Sequence, residues 1–166
     1  MLIEIKDMQT KDWNEVECIY QLGIATGNAT FETQTPTWKN WDNSHVKSCR
    51  FIASLDAKIV GWTALSPVSN RCVYGGVAEV SVYIDPIYNG NGIGTKLLQK
   101  LIVESEEEGF WTLQSGIFPE NGASIQLHKK LGFREIGFRE KIGKMKNGLW
   151  RDNIILERRS KTIGIN

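Results

Sequence analysis

The stretch that most constrains this 166-residue chain lies at its middle. Residues 77–84, Val-Ala-Glu-Val-Ser-Val-Tyr-Ile, alternate as a half-buried strand does. Ala78, Val80, Val82 and Ile84 share one side, and Glu79, Ser81 and Tyr83 share the other. Asp85-Pro86 ends the strand, and Gly90, Gly92 and Gly94 then fall at alternate positions. Ile93, Leu97, Leu98, Leu101 and Ile102 follow at helical spacing, up to the acidic run 104–108 and Gly109. A strand that passes through a glycine turn straight into an amphipathic helix requires a sheet with a helix laid across it. With the next strand expected at 111–118, the helix becomes a crossover between two parallel strands. Glycines let backbone N–H groups converge without Cβ obstruction, and the helix N-terminus adds partial positive charge. Such a turn cradles a phosphate or diphosphate. A turn that only began a helix would not need three alternate glycines.

Composition makes this local device necessary. Twenty Lys plus Arg against 19 Asp plus Glu leave a formal charge of +1, so nothing draws nucleic acid or anionic lipid in general. Six Trp, six Phe and four Tyr, in a chain that is 41% hydrophobic, supply one core and argue for a single domain over residues 1–166. Cys18, Cys49 and Cys72 are scattered and odd in number, without a Cys-x-x-Cys pair, so no metal site is expected. The alternating, charged N-terminus is not a signal peptide, and no apolar run approaches the ~20 residues of a membrane helix. A soluble, cytoplasmic protein is expected. For the phosphate ligand, the third glycine comes one residue early for a dinucleotide fingerprint. Gly94-Thr95-Lys96 is no Walker loop.

The remaining elements follow from periodicity and punctuation. A strand is expected at 2–6, a helix from Thr10, a polar loop at 26–37 and a helix at 37–47 behind Pro36. Strands at 51–55 and 58–65 form a hairpin around Asp56-Ala57, and a long connection covers 67–76. A helix at 123–131, capped by Gly132, precedes strands at 133–142 and 149–157. The order predicts an α/β (α+β) fold: a mixed, mostly antiparallel, twisted sheet flanked by helices, with one parallel pair.

Val82-Tyr83-Ile84-Asp85-Pro86 with Gly90-Asn91-Gly92-Ile93-Gly94 resembles the acetyl-CoA motif of GNAT-type N-acetyltransferases. Pro119-Glu120-Asn121-Gly122-Ala123-Ser124, through Leu127-His128-Lys129-Lys130-Leu131-Gly132-Phe133, is similar to that superfamily's downstream motif. Ala78 to Tyr83, Thr30-Phe31 and Gly148-Leu149-Trp150-Arg151-Asp152 narrow the resemblance to the phosphinothricin and small amino-acid N-acetyltransferase branch, over residues 2–158. Asn89 stands where that superfamily usually has Arg or Gln, which removes a charge near the diphosphate and weakens its hold.

The resemblance implies that the parallel pair splays at the acetyl-CoA site. The backbone of Val82, Tyr83 and Ile84 would pair with the pantetheine arm as an added strand would. Gly90, Asn91, Gly92, Ile93, Gly94 and Thr95 would take the diphosphate. Asn121 would hold the pantetheine amides while also capping the next helix, with Ser124 as a further candidate. Glu79 would be the general base for the amine, its alternative being a solvated strand carboxylate. A backbone N–H near Val80 or Val82 would stabilise the oxyanion. His128 stands where relatives carry a tyrosine that protonates the leaving thiolate; it is otherwise a packed or surface residue. His45 is expected on the surface, and Trp62 and Trp111 in the core. Thr30 and Phe31 would face the acceptor. Trp150 would line the acceptor pocket or join the core. Arg71, with Tyr74, would clamp an acceptor carboxylate or stay solvated, because Gly75-Gly76 replace an Arg that some relatives carry. The implied partner is a small-molecule amine, with no nucleic acid or membrane, in a homodimer. Another amine (a protein N-terminus, polyamine or aminoglycoside) or a non-catalytic CoA-binding domain is the alternative.

Overall fold

In the computed structural model, which describes residues 2–166, the first half of the chain runs β1 (Ile3–Asp7), α1 (Trp13–Ala25), α2 (Trp38–Ser44), β2 (Phe51–Leu55), β3 (Lys58–Pro67) and β4 (Val77–Ile84). The second half adds α3 (Ile93–Glu107), β5 (Thr112–Ile117), α4 (Gly122–Lys130), β6 (Arg134–Lys144) and β7 (Trp150–Arg159). One seven-stranded sheet has the order β1-β2-β3-β4-β5-β7-β6, and every neighbouring pair is antiparallel except β4–β5. The expected mixed sheet with one parallel pair is what forms. Local chemistry accounts for the joints. Asp56 and Ala57 take left-handed φ values of 48° and 65°, the twist a two-residue hairpin needs. Helix α2 stops at Ser44, short of the expected 47, because His45 turns into extended backbone. Strand β6 runs on to Lys144, two residues past the expected end, with register shifts along its pairing to β7.

The strand alternation sorts the core into two layers. Ala78 and Val80 are buried on the face covered by α3 and α4, together with Leu97, Leu98, Leu101 and Ile125, and Val82 and Ile84 pack against them. On the opposite face α1 and α2 bury Trp13, Val16, Ile19 and Trp41 against Trp62 and Ala64, with Tyr83 packed alongside. Gly61 lets β3 pass under α3, since a Cβ there would stand 2.9 Å from Ile84 Cδ1 and 3.1 Å from Leu97 Cδ1.

Strands β4 and β5 part after a short ladder. Only Val77–Thr112, Ala78–Leu113 and Glu79–Gln114 are paired. Beyond Glu79, β4 stays with β3 as far as the Gly61–Ile84 pair, while β5 stays with β7 as far as Ile117–Ile154. The sheet is therefore forked at its centre, leaving the facing edges of residues 80–84 and 115–117 without a strand partner.

Because α3 lays its apolar stripe across β1 to β4, Leu97→Ala should lower unfolding free energy by about 2–5 kcal/mol in urea melts. A loss below about 1 kcal/mol would mean that α3 is not a core element.

Candidate functional site

A cavity of about 650 Å³ opens at the fork, walled by β4, the end of β5, α4 and the loop after α1. Glu79, Ser81 and Tyr83, the polar side of β4, all reach it, as do Thr30 and Phe31 from the loop. Glu79 occupies the last rung of the parallel ladder and is solvent-exposed, so its carboxylate meets the cavity where water still enters. The Tyr83 ring packs edge-on against Tyr20 at 4.9 Å, and burial pushes the pKa of its hydroxyl far above the ordinary phenolic value. The side chains of Val82 and Ile84 turn into the core instead, which leaves their backbone as what they offer the fork.

The glycine turn lies at the N-terminus of α3. Gly90 and Gly92 have φ of 82° and 76°, and a Cβ built on either meets nothing within 4 Å, so the turn presents bare backbone to open space. Asn91 braces it by donating from Nδ2 to Tyr88 O at 2.9 Å. Ile93 anchors the first helical turn in the core. The N–H groups of Ile93, Gly94 and Thr95 precede the first carbonyl a helix can offer. Lys96 N is the first to reach one, Gly92 O at 3.1 Å. These features fit an anionic diphosphate. Gly94 carries a packing role besides the expected one: a Cβ there would stand 3.0 Å from Leu127 Cδ2, so it lets α3 and α4 approach.

On the far wall, Asn121 caps α4 by accepting from Ser124 N at 3.2 Å. His128 is a buried residue of the cavity wall, with Nδ1 2.7 Å from Ser124 O and a buried Nε2 without a hydrogen-bond partner. A carbonyl only accepts, so Nδ1 carries the proton and Nε2 is a lone pair. Burial holds the His128 pKa below its ordinary 6.5, which keeps the ring neutral. His45 departs from its expected surface position: it is half-buried, stacked on Trp41 at 4.2 Å, and lines the same cavity. Its Nδ1 likewise donates to the carbonyl four residues back, Trp41 O at 2.7 Å, and burial lowers its pKa too. The helical spacing of Trp38, Trp41 and His45 was the available signal for this wall.

Three expected acceptor residues lie outside the cavity wall. Arg71 and Tyr74 are exposed on the 67–76 connection, where the guanidinium carbon sits 5.6 Å over the tyrosine ring. Gly76 is locked beneath Trp111, whose ring atoms would come within 2.0 Å of a Cβ there, so no side chain fits at that position. Trp150 joins neither core nor cavity: it is 51% exposed, under the Lys144 ammonium, on a hairpin that projects from the sheet. Trp62 is core as expected. Among the described residues, no group of three or more His, Cys, Asp or Glu side chains is placed to hold a metal ion.

His128 also makes stability depend on pH. Its folded pKa lies below 6.5, so on acidification the unfolded chain takes up the proton first. The stability it contributes is present above about pH 6.5 and is lost as pH falls toward the folded value. His128→Gln should therefore flatten the decline in melting temperature between about pH 7 and about pH 5. An unchanged slope would mean that the ring is not held neutral.

A sequence model of the Acetyltransferase (GNAT) family matches residues 7–133. An L-methionine sulfoximine/L-methionine sulfone acetyltransferase of Pseudomonas paraeruginosa is 38% identical over 168 residues, covering 92% of this chain and 91% of that protein. A phosphinothricin N-acetyltransferase of Alcaligenes faecalis is 28% identical over 165 residues, covering 93% and 81%. In fold, the chain matches a GNAT superfamily phosphinothricin acetyltransferase from Sinorhizobium meliloti, solved in complex with acetyl-CoA. That match has a TM-score of 0.85 across 99% of this chain and 97% of the other, at 24% identity. The family model spans most of the sequence, the fork and the glycine turn included, and the chain belongs to the GNAT acetyltransferase family, as an acetyl-CoA-dependent acyltransferase of its phosphinothricin-type branch.

Proposed function

We propose that residues 1–166 form one acetyltransferase domain that acetylates the free amine of a small amino acid or analogue by direct attack, with Glu79 as general base. The observation that carries this reading is the place of Glu79, on the last paired rung of β4 and facing the cavity. Acetyl-CoA, when bound, supplies a thioester carbonyl for the amine to attack. The open edge of Val82, Tyr83 and Ile84 would hold its pantetheine arm. The turn from Gly90 to Thr95 would hold the diphosphate, and Asn121 and Ser124 would bind from the α4 side. Glu79 removes the proton of the acceptor ammonium, directly or through water, which frees the nitrogen lone pair. A backbone N–H of β4 near Val80 or Val82 stabilises the charge that develops on the carbonyl oxygen. His128 has no proton on Nε2 to give at rest, so as a donor to the leaving thiolate it must first take one up. The second proton of the attacking amine is available for that.

Thr30 and Phe31 form the acceptor wall in this reading. The amino-acid class is supported by the named substrates of the relatives. A second reading, an acceptor without a carboxylate, is favoured by the wall itself. Glu32 and Glu79 line it, while no Lys or Arg does among the described residues. Arg71 and Tyr74 would serve a carboxylate only after the 67–76 connection closes over the cavity. A homodimer is supported by β6, whose Ile136, Phe138 and Ile142 are exposed beside Leu149 and Trp150 on the β6–β7 hairpin. The free thiols Cys18, Cys49 and Cys72 support a reducing, cytoplasmic setting.

Two variants test the machinery. With Glu79→Gln, turnover measured as thiol release should fall on the order of 10²-fold or more while acetyl-CoA affinity stays nearly constant. An unchanged rate at neutral pH would return Glu79 to the role of a strand residue. Gly92→Val places a β-branched residue at φ 76° and puts side-chain atoms into the bare turn. Calorimetry should register weakened acetyl-CoA binding by the folded variant, and parental affinity would refute the cradle.

A further inference from the structure

We infer that Arg151 is a positioning residue: its guanidinium sets residues 27–31 against the cavity and so places the acceptor before Glu79. The inference rests on the amine-acetylation reading above. Arg151 leaves β7 opposite Gly143 of β6, and its side chain is only 8% exposed. Its buried donors reach back to the loop after α1. Nη1 donates to Gly27 O at 2.6 Å, and Nη2 donates to Asn28 Oδ1 at 2.9 Å. The one carboxylate in reach, Glu120 at 3.2 Å, has a side chain 58% exposed, so that ion pair alone gives little reason to bury a guanidinium.

Two further contacts carry this anchoring into the cavity. The guanidinium carbon lies 3.9 Å over the Phe118 ring, and Phe31 meets Phe118 edge-on at 4.8 Å. Phe31 also fills the space above Gly143, where a Cβ would stand 2.5 Å from its ring. Arg151 therefore fixes both the start of the loop and the aromatic floor on which Phe31 rests. Asn28 is held twice, since its carbonyl accepts from Asn121 Nδ2 at 3.2 Å. At its other end the loop is tied to α1, where Thr35 Oγ1 donates to Glu17 Oε1 at 2.7 Å. Thr30 and Phe31 hang between these ties and face the cavity. Releasing the Arg151 end should misplace the acceptor without touching Glu79 or the glycine turn.

The test compares Arg151→Met, Arg151→Lys and Asn28→Ala with the parent protein. Acceptor KM, kcat, acetyl-CoA Kd by calorimetry, and hydrogen exchange of residues 27–31 would be measured. Arg151→Met should raise acceptor KM on the order of tenfold or more, with acetyl-CoA affinity nearly unchanged and exchange of the loop accelerated. Arg151→Lys keeps the charge but loses the fork of donors, and should restore part of the KM. Asn28→Ala leaves β7 intact, so it carries the test if Arg151→Met does not fold. It should shift KM and exchange in the same direction, and the double variant should be no worse than Arg151→Met alone. Parental loop exchange together with parental acceptor KM would overturn the inference, as would a lowered melting temperature with KM unchanged. If the parent acetylates no amine at all, the proposed reaction fails, while loop exchange still decides whether Arg151 holds the loop.

Discussion

Backbone N–H and C=O groups left without partners inside a protein are costly, and the parting of β4 from β5 after Glu79 creates a row of them. Everything functional in this molecule is arranged around that gap. Each strand follows its other neighbour away from the gap, β4 with β3 and β5 with β7. The helices α3 and α4 touch closely at Gly94 and Leu127. Glu79 sits at the vertex, the α3 turn at one end and the α4 cap at the other. A ladder that continued to Ile84 would satisfy the strands and leave nothing to bind.

The parts of this arrangement that were legible in the sequence are those set by local chemistry. The two sides of β4, the left-handed glycines and the Asn121 cap each depend on a few neighbouring residues, so periodicity and residue type suffice to find them. What was not legible depends on distant packing. Nothing near Gly76 in the chain announces that Trp111 will lie on it, yet that contact helps fix where the 67–76 connection runs. Gly94 looks like one of three equivalent turn glycines until Leu127 is seen against it. His45 follows a run that reads as an exposed helix end; its spacing from Trp41 hints at a shared side, but that this side is the cavity wall depends on Trp41 packing against the distant Trp62.

The two histidines illustrate how one local geometry can set protonation without a charged partner. Each sits four residues beyond the carbonyl it donates to, in a ring environment dry enough to disfavour the imidazolium. Both consequently carry their lone pair on Nε2, and both residues line the cavity. Glu32 and Glu79 add carboxylates, so the wall accepts hydrogen bonds far more readily than it donates charge-assisted ones. A cation entering this cavity would meet acceptors on several sides and no competing side-chain cation among the described residues.

Four of the six tryptophans form one connected cluster beside this site. Trp13 lies 5.7 Å from Trp38 and 5.4 Å from Trp41, and Trp41 lies 5.8 Å from Trp38 and 5.7 Å from Trp62. Indoles this close exchange excitation, so light absorbed by any of them is shared with Trp41, which lines the cavity. Much of the intrinsic fluorescence is therefore wired to the α1–α2 side of the sheet, and a ligand that quenches Trp41 dims the whole cluster. The other two indoles, Trp111 over Gly76 and the exposed Trp150, lie apart from this cluster and form a constant background, so the part of the emission that changes in a titration is the part that reports on the cavity.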